Sequence, residues 1–413
     1  MSVSKTTLKL INWWYQFPLE LRLITRGRFF ASLGAGGVIY LTSLIFNKLG
    51  LSASEIGTGF GIAALAGTIS RLITGKFLDK GISFYQTLKL AAIIAMIGDL
   101  VLFNSQTYFN YLNGQFLIGT AGGVYWPSAE LGIPASCKHF SSAKGFALAR
   151  SGDAIGTSIG TLIGSLSTYL GTIRSVYIMD IICMTIFICL LFDSRIYNLK
   201  NNTKTKNLAY NNNKYPLKEW LPKTYPILFI SIISTGIFAL IQSILPLDLV
   251  KGGIMRPALS ESWSSILIFL QLTLLVIFQW PIGKYVAKRN PYYGLKISLI
   301  NFSLGCLFLS LSSIVNYGIV VIIIAQVPIA IALASFLPTA TEAIIRITPH
   351  NRQGISMAIY SQCFSISGLA APYIGGKLID IQGNCFSLWL GLFVICLSTL
   401  LLIRKQKSLT TIK

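Results

Sequence analysis

The sequence predicts an all-α membrane protein whose twelve transmembrane helices form two six-helix bundles. Three observations lead to this fold class. Of the 413 residues, 53% are hydrophobic and only 11% are charged, apolar stretches of helical length recur along the chain, and one long polar segment interrupts them near the middle. Because an ordinary soluble domain carries roughly 25% charged residues, this composition fits a lipid bilayer rather than water.

Each transmembrane helix is predicted from an apolar window, since a spanning helix needs about 20 mostly apolar residues. Twelve segments satisfy this requirement: 29–47, 55–75, 86–105, 109–131, 145–170, 174–192, 225–247, 261–282, 292–313, 316–341, 353–378 and 383–403. An even number of spans places both termini on the same side of the membrane. The loops on that side hold most of the lysines and arginines, so we expect both termini to be cytoplasmic.

The charge balance is strongly basic, with 34 Lys and Arg against 13 Asp and Glu and a formal net charge of +21. In a soluble protein this excess would indicate nucleic-acid binding, but here the cations lie at helix ends, where membrane orientation accounts for them. The bias towards Asn, Ile and Lys is typical of an AT-rich bacterial genome. We expect a multi-pass monomer of the plasma (inner) membrane that binds no nucleic acid.

A polar segment rich in Asn and Lys, residues 193–224, separates two apolar halves, 1–192 and 225–413. We interpret it as a flexible cytoplasmic linker between two six-helix bundles. Three local patterns recur in the two halves at an offset close to half the chain length: Gly75–Lys80 with Gly283–Lys288, Pro127–Glu130 with Pro338–Glu342, and Gly164 with Gly375. This repetition favours a parallel duplication of one six-helix unit.

The two sets of six spans, the basic linker and the loop after the second span together resemble the major facilitator superfamily of secondary transporters. The resemblance covers essentially the whole chain. Gly75, Asp79 and Lys80 match the family's loop pattern Gly-xxx-Asp-Arg/Lys-x-Gly, whereas the next glycine comes one place early at Gly81. In the family this loop is a cytoplasmic hinge and latch, and the resemblance implies that role for the three matching residues.

Two family elements linked to proton coupling and drug efflux are altered in this chain. The resemblance places Gln115 where many proton-coupled members carry an arginine in span four, which weakens the inference of proton coupling. In span five, Gly152, Gly156, Gly160 and Gly164 replace the glycine-proline element of drug/proton antiporters. We interpret these four glycines, at small-xxx-small spacing, as a surface for close helix packing. The sequence therefore does not separate efflux from uptake.

Ionisable side chains inside a span cost roughly 2.5 to 3.5 kcal/mol each and are functional candidates by default. Arg150 and Asp153 are three residues apart on span five, so we expect them to pair on one helix face and to act in substrate binding or coupling. A static ion pair near the cytoplasmic end is the alternative. Asp99 in span three is a candidate proton carrier, or else makes a structural hydrogen bond, and Asp180 in span six falls under the same argument.

The predicted cytoplasmic gate contains acidic residues at repeat-related positions. Glu130 and Glu342 end spans four and ten, and we expect them to pair with Lys144 and Arg352 at the start of the following spans. Together with the loop residues of the hinge and latch, such pairs would hold the cytoplasmic side closed in one state. Solvated charge at the membrane interface is the alternative.

The resemblance implies that spans one, four, seven and ten line the solute path. Polar and aromatic residues on these spans are the candidates for the central cavity: Tyr40, Gln115, Tyr125, Trp126, Gln242 and Gln326. Neutral amides and aromatic rings suit a weakly polar or uncharged solute, because a polyanion would require converging arginines. Ordinary helix packing is the alternative for each of them.

These features predict a secondary active transporter that moves a small organic solute by alternating access, with proton-coupled efflux as one form. An uncoupled facilitator or uptake transporter of the same fold is one alternative, and a membrane-embedded lipid-modifying enzyme is another. The chain contains no P-loop, HExxH or GxSxG pattern, so we expect no cofactor, no metal and no enzymatic activity. The expected partners are a small-molecule substrate, protons and the lipid bilayer.

Overall fold

The computed structural model describes residues 14–79, 82–137, 142–192, 217–287, 289–349 and 353–405. Within these ranges the chain forms thirteen helices and no strand, and twelve of the helices are 17 to 30 residues long. They are α1 (Leu19–Lys48), α2 (Ala53–Asp79), α3 (Phe84–Asn104), α4 (Tyr108–Ser136), α5 (Ser142–Tyr169), α6 (Ser175–Leu191), α7 (Leu217–Ser243), α8 (Leu245–Lys251), α9 (Glu261–Ala287), α10 (Pro291–Ser313), α11 (Gly318–Ile347), α12 (Gln353–Gln382) and α13 (Phe386–Lys405). Each of the twelve long helices overlaps one of the twelve predicted spans.

The apolar character of these helices makes the chain a multi-pass membrane protein. Among the described residues, seven helices contain an apolar window long enough to cross a bilayer, namely α1, α2, α3, α7, α9, α10 and α11, and α6 and α13 contain shorter apolar runs. The start predicted for the first span, residue 29, is wrong, because α1 begins at Leu19. This earlier start places Arg28 inside a helix rather than in front of one.

Local capping explains where several helices begin. Ser52 and Glu55 form a capping box at the start of α2, in which Ser52 Oγ accepts from the Glu55 N–H at 3.2 Å and Glu55 Oε2 accepts from the Ser52 N–H at 2.8 Å. The Asp380 carboxylate accepts from the first two N–H groups of the same helix, where a negative charge complements the helix dipole. Asn290 caps α10 by accepting from the Tyr292 N–H at 3.1 Å.

The described chain divides into two compact units. Counting described residues only, the first unit contains 14–38, 65–79, 82–137, 142–167 and 172–192. The second contains 39–64, 168–171, 217–287, 289–349 and 353–405. Most of the predicted linker, residues 193–216, lies outside the described residues. The predicted boundary between two six-helix halves therefore stays a prediction.

In the first unit, α3 packs between α4 and α6. The apolar core between these helices contains Leu88 and Ala92 of α3, Ala121 of α4 and Phe187 of α6, and Ile24 of α1 joins it. Burial of these side chains fixes α1, α3, α4 and α6 as one packed group.

Helices α1 and α5 approach each other closely through the predicted glycine surface. Gly152 lies against Thr25, while a Cβ atom at Gly156 or Gly160 would overlap the carbonyl oxygen of Phe29 or Leu33. The contact points advance in the same direction along both helices, so α1 and α5 run parallel. The close packing expected at these glycines is confirmed, and it sets which residues of α1 and α5 face each other.

The second unit repeats this arrangement with other residues. Helix α10 packs between α11 and α13, and α7 packs against α12. Thr235 Oγ1 of α7 donates to Ser367 Oγ of α12 at 2.9 Å, and Gly375, two turns further along α12, lies against Leu240 of α7. These contacts also advance in the same direction, so α7 and α12 run parallel. In the predicted duplication, α7 and α12 correspond to α1 and α5.

A buried polar cluster joins three elements of the second unit. Arg256 donates through Nη2 to Asp248 Oδ1 at 3.1 Å and through Nη1 to Ser312 Oγ at 2.8 Å. The Trp389 indole N–H donates to the other oxygen of Asp248 at 3.1 Å. Because Asp248 and Arg256 are both buried, removing either one would leave an uncompensated charge where the connection between α7 and α9 meets the ends of α10 and α13.

The glycine interface predicts a position-specific loss of stability. Gly160→Ala should lower the thermal unfolding temperature, because the added methyl group overlaps the α1 backbone and overpacking costs about 1–3 kcal/mol. Gly391→Ala on α13 is the matched control, since a Cβ atom there meets no neighbour within 4 Å. Intrinsic fluorescence of the detergent-purified protein during heating measures both variants. Equal unfolding temperatures for the two would contradict the close α1–α5 approach.

Candidate functional site

The strongest concentration of charge inside the described helices surrounds Arg28 of α1. Arg28 is 1% exposed, and it donates through Nε to Asp153 Oδ1 at 3.0 Å and through Nη2 to Asp153 Oδ2 at 2.5 Å. This two-point geometry is the strongest form of arginine–carboxylate pairing. Ser32 Oγ, one turn further along α1, donates to the same carboxylate at 3.3 Å.

A second ion pair continues from the first. Arg150 of α5 donates to Glu130 of α4 at 3.1 Å, and Glu130 also lies 3.5 Å from Arg28 Nη2. We refer to Arg28, Glu130, Arg150 and Asp153 as the charge cluster. It carries two positive and two negative groups, and its exposed fraction increases from Arg28 to Arg150.

Aromatic side chains of α4 adjoin the charge cluster. The guanidinium carbons of Arg28 and Arg150 lie 5.6 and 5.7 Å from the centre of the Trp126 ring, within the range of cation–π attraction. Tyr125 packs edge-on against Trp126, with its hydroxyl buried and, among the described residues, without a hydrogen-bond partner. Predicted cavity residues and predicted charged residues are thus neighbours in the first unit.

The charge cluster contains unused hydrogen-bonding capacity. Arg28 Nη1 is buried and has no acceptor among the described residues, although a buried donor without a partner costs about 1–3 kcal/mol. A native structure that retains such a donor inside a membrane helix has a functional candidate at that place. Arg28 Nη1 and the Tyr125 hydroxyl are therefore buried polar groups whose hydrogen-bonding capacity no described residue uses.

The structure corrects one predicted pair and adds one residue. Arg150 and Asp153 do not pair with each other, because Asp153 is held by Arg28 while Arg150 turns to Glu130. Arg28 was missed because the first span was predicted to start after it. The sequence contains a signal for the earlier start of α1: Leu21, Thr25, Arg28 and Ser32 recur every three or four residues, as positions on one face of a helix do.

The structure places the predicted gate residues that it describes at several separate sites. Glu342 pairs at 2.5 Å with Arg346, one turn away on the exposed face of α11. Its predicted partner Arg352 lies outside the described residues, as does Lys80 of the loop. Gly75 lies within α2 and Asp79 is its last residue. Glu130, by contrast, belongs to the charge cluster.

Of the remaining predicted cavity residues, Tyr40, Gln115 and Gln326 are buried and Gln242 is half-buried. In the second unit Tyr40 packs with Ile268 and Leu272, and Gln242 Nε2 donates to the Tyr40 hydroxyl at 3.5 Å. Gln326 on α11 is fully buried, and neither its amide nitrogen nor its oxygen has a partner among the described residues. Gln115, on α4 of the first unit, is also buried.

The sequence profile described as Major Facilitator Superfamily matches residues 26–325 and 227–408 of the chain. The chain belongs to this superfamily. Membership makes it a transporter and not an enzyme, so the alternative of a lipid-modifying enzyme is wrong. No curated protein matches the chain.

Solved structures of superfamily transporters share the fold at low sequence identity. The nucleoside transporter NupG aligns with a TM-score of 0.73 and 13% identity, covering 94% of this chain and 98% of NupG. A POT family transporter in complex with 5-aminolevulinic acid aligns with a TM-score of 0.76 and 13% identity, covering 94% of this chain and 96% of that one. A peptide transporter POT in complex with sulfate gives a TM-score of 0.76 at 13% identity, with 94% and 95% covered. At this identity the likeness shows the fold alone.

The charge cluster predicts strong coupling between Arg28 and Asp153. Arg28→Gln or Asp153→Asn alone should destabilise the protein by about 3–5 kcal/mol, because each leaves a buried charge without its partner. The double variant should lose less than the sum, since the two neutral amides can hydrogen-bond to each other. Thermal unfolding of the four proteins gives the coupling energy.

The exposed pair Glu342–Arg346 provides the control for this cycle. Glu342→Gln and Arg346→Gln should change the unfolding temperature little, because solvent-exposed ion pairs contribute little to stability. Additive effects of the Arg28 and Asp153 substitutions would contradict the pairing described above.

Proposed function

We propose that this chain is a secondary active transporter that moves a small organic solute by alternating access of two six-helix bundles. The observation that carries the proposal is the charge cluster around Arg28, buried in a helix bundle of the superfamily fold. Charge inside a membrane helix is costly and is kept where substrate or ions pass. The parallel packing of α1 with α5 and of α7 with α12 supports the duplicated arrangement.

The substrate class follows from the neutral polar groups of the predicted path. Gln115, Tyr125, Gln242 and Gln326 offer amide and hydroxyl groups, and Gln326 has both of its amide atoms available. Such groups fit a weakly polar solute that forms a few directed hydrogen bonds. Nucleosides, short peptides and amino-acid-like solutes, the classes named for the transporters of similar fold, are the first to test.

The proposed role of the charge cluster is to change partners during the transport cycle. Arg28 is held by Asp153 and lies near Glu130, while Arg150 is more exposed and bonds to Glu130. Two arginines therefore compete for one glutamate, and a small shift of α4 or α5 re-pairs them. This exchange would open or close the path at the end of the bundle that we propose to be cytoplasmic.

The proposal also includes the membrane topology and the coupling of solute movement to protons. The basic loops favour an inner-membrane protein with both termini in the cytoplasm. We propose a monomeric state and a linker that begins at residue 193 and ends where α7 begins at Leu217, earlier than the predicted end at 224. We propose proton-coupled antiport as the form of transport. An uncoupled facilitator of the same fold is the competing function, and it differs in that solute would never accumulate against its gradient.

A flux experiment in proteoliposomes tests the function. The purified chain is reconstituted, and uptake of radiolabelled nucleosides, dipeptides, 5-aminolevulinic acid and a drug panel is measured with and without a pH gradient. We expect saturable movement of at least one solute, accelerated by the gradient. Saturable flux that ignores the gradient would establish the facilitator, and absence of flux for every solute would count against the transport proposal for these classes.

The same assay measures the importance of the charge cluster. Asp153→Asn should lower the flux roughly 10- to 100-fold, because a charge-assisted hydrogen bond is worth about 1.5–3 kcal/mol. Glu261→Gln is the control, since Glu261 pairs at 3.3 Å with Lys48, the last residue of α1, far along that helix from Arg28. Equal flux in both variants, with Asp153→Asn normally folded, would assign the charge cluster a structural role only.

A further inference from the structure

Two buried carboxyl groups face each other in the first unit, away from the charge cluster. Asp99 of α3 is 0% exposed and Asp180 of α6 is 3% exposed, and their carboxyl groups lie within hydrogen-bonding reach of each other. Both oxygens of Asp99 and Oδ1 of Asp180 are buried and receive no hydrogen bond from any other described group. These three oxygens therefore have no hydrogen-bond donor among the described residues unless one of the two carboxyl groups is protonated.

No cation of the described residues neutralises this pair. Arg28 of α1 is engaged by Asp153, and Arg174, at the start of α6, donates to the carbonyl oxygens of Phe103 and Ser105 at 2.8 and 2.5 Å. A further titratable neighbour of Asp180 is Cys183, one turn along α6, whose thiol is a neutral group.

The repulsion between the two carboxylates determines how many protons the pair binds in its most stable state. Two carboxylates in contact without a counter-charge repel each other and lose their hydration, so they do not stay ionised together. A carboxylate cannot donate a hydrogen bond, whereas a protonated carboxyl group can. One shared proton removes the repulsion and supplies the missing donor, as it does wherever two carboxyl groups share a site.

The pair also touches the helix that carries Arg28. A Cβ atom at Gly34 of α1 would overlap Asp180 Oδ1, so the carboxyl group lies directly against the α1 backbone. Gly34 is about half a turn from Ser32, which donates to the Asp153 carboxylate of the charge cluster. Gain or loss of a proton at Asp180 therefore changes a contact of α1 close to the charge cluster.

We propose that Asp99 and Asp180 form the proton-binding site of the transport cycle, in which the two carboxyl groups share one proton behind α1. The inference rests on the transport function proposed above and assigns its coupling ion to this pair rather than to the charge cluster. Loss of the proton leaves two facing carboxylates, whose repulsion moves α3 and α6 apart and releases the contact at Gly34. The burial of the pair encloses the proton in the conformation described.

A proton fits this pair better than a metal ion. A calcium ion takes about 6 to 8 oxygen ligands, whereas two carboxyl groups supply four oxygens at most. The described residues contain no group of three or more His, Cys, Asp or Glu side chains arranged for a metal. Sodium is the remaining competitor, and the experiment separates it from the proton.

Infrared difference spectroscopy of the purified full-length protein tests the shared proton without any substrate. The carbonyl stretch of a protonated carboxylic acid is distinct from carboxylate bands, and isotopically labelled aspartate identifies it. We expect one such band at neutral pH, its loss on alkaline titration, and its absence from Asp99→Asn/Asp180→Asn but not from Glu261→Gln. The amide pair is isosteric with the protonated pair, so the double variant should fold.

Three spectroscopic results would overturn the proposal. The first is a carboxylic-acid band that does not titrate, which would make the pair a permanent structural hydrogen bond. The second is the absence of any carboxylic-acid band that the double variant removes. The third is a carboxylate band that shifts on addition of sodium but not with pH. The wild-type labelling measurement gives these answers even if the double variant misfolds.

Transport measurements distinguish a failure of the proton-binding site from a failure of the proposed transport function. Asp99→Asn/Asp180→Asn should lose accumulation driven by a pH gradient, down to the level of passive equilibration, while it retains exchange of labelled for unlabelled solute. Wild-type protein without flux in any mode would count against the transport function. Normal gradient-driven accumulation by the double variant would count against the proton site alone.

Discussion

Burial of the Arg28 guanidinium is the constraint on which the organisation of the first unit depends. A cation placed in an apolar bundle must find an anion, and Asp153 meets this need from another helix. The pairing requires α1 and α5 to lie close and in fixed register. Both conditions are met by the glycines of α5, which let the two backbones touch at Phe29 and Leu33.

The same close packing connects two chemically different sites. The charge cluster lies on one side of α1, where Arg28 and Ser32 point to Asp153. On another side, Gly34 leaves room for the Asp180 carboxyl group. Helix α1 is therefore the element through which a change in the carboxyl pair can reach the ion pairs, because it contacts both and is rigid over the short distance between them.

Much of the fold could be read from local sequence properties. The twelve apolar windows predicted the twelve long helices, and the spacing of Gly152, Gly156 and Gly160 predicted the close packing of α5, because both properties depend on residues near in sequence. The start of α1 was misplaced for the same reason. In the sequence, the apolar run begins only after Arg22, Arg26 and Arg28, which therefore indicate the edge of a span. The helix nevertheless includes these three arginines and begins at Leu19.

The sequence by itself determined the membrane class, the approximate positions of the long helices and the kinds of residue available for chemistry. It could not determine partners, since Arg28 and Asp153, or Asp99 and Asp180, come from helices far apart in the chain. Only the tertiary structure decided that Arg150 pairs with Glu130 and that two aspartates face each other. The physical reason is that ion pairing falls off steeply with distance in space, and distance in space between helices is set by packing rather than by sequence separation.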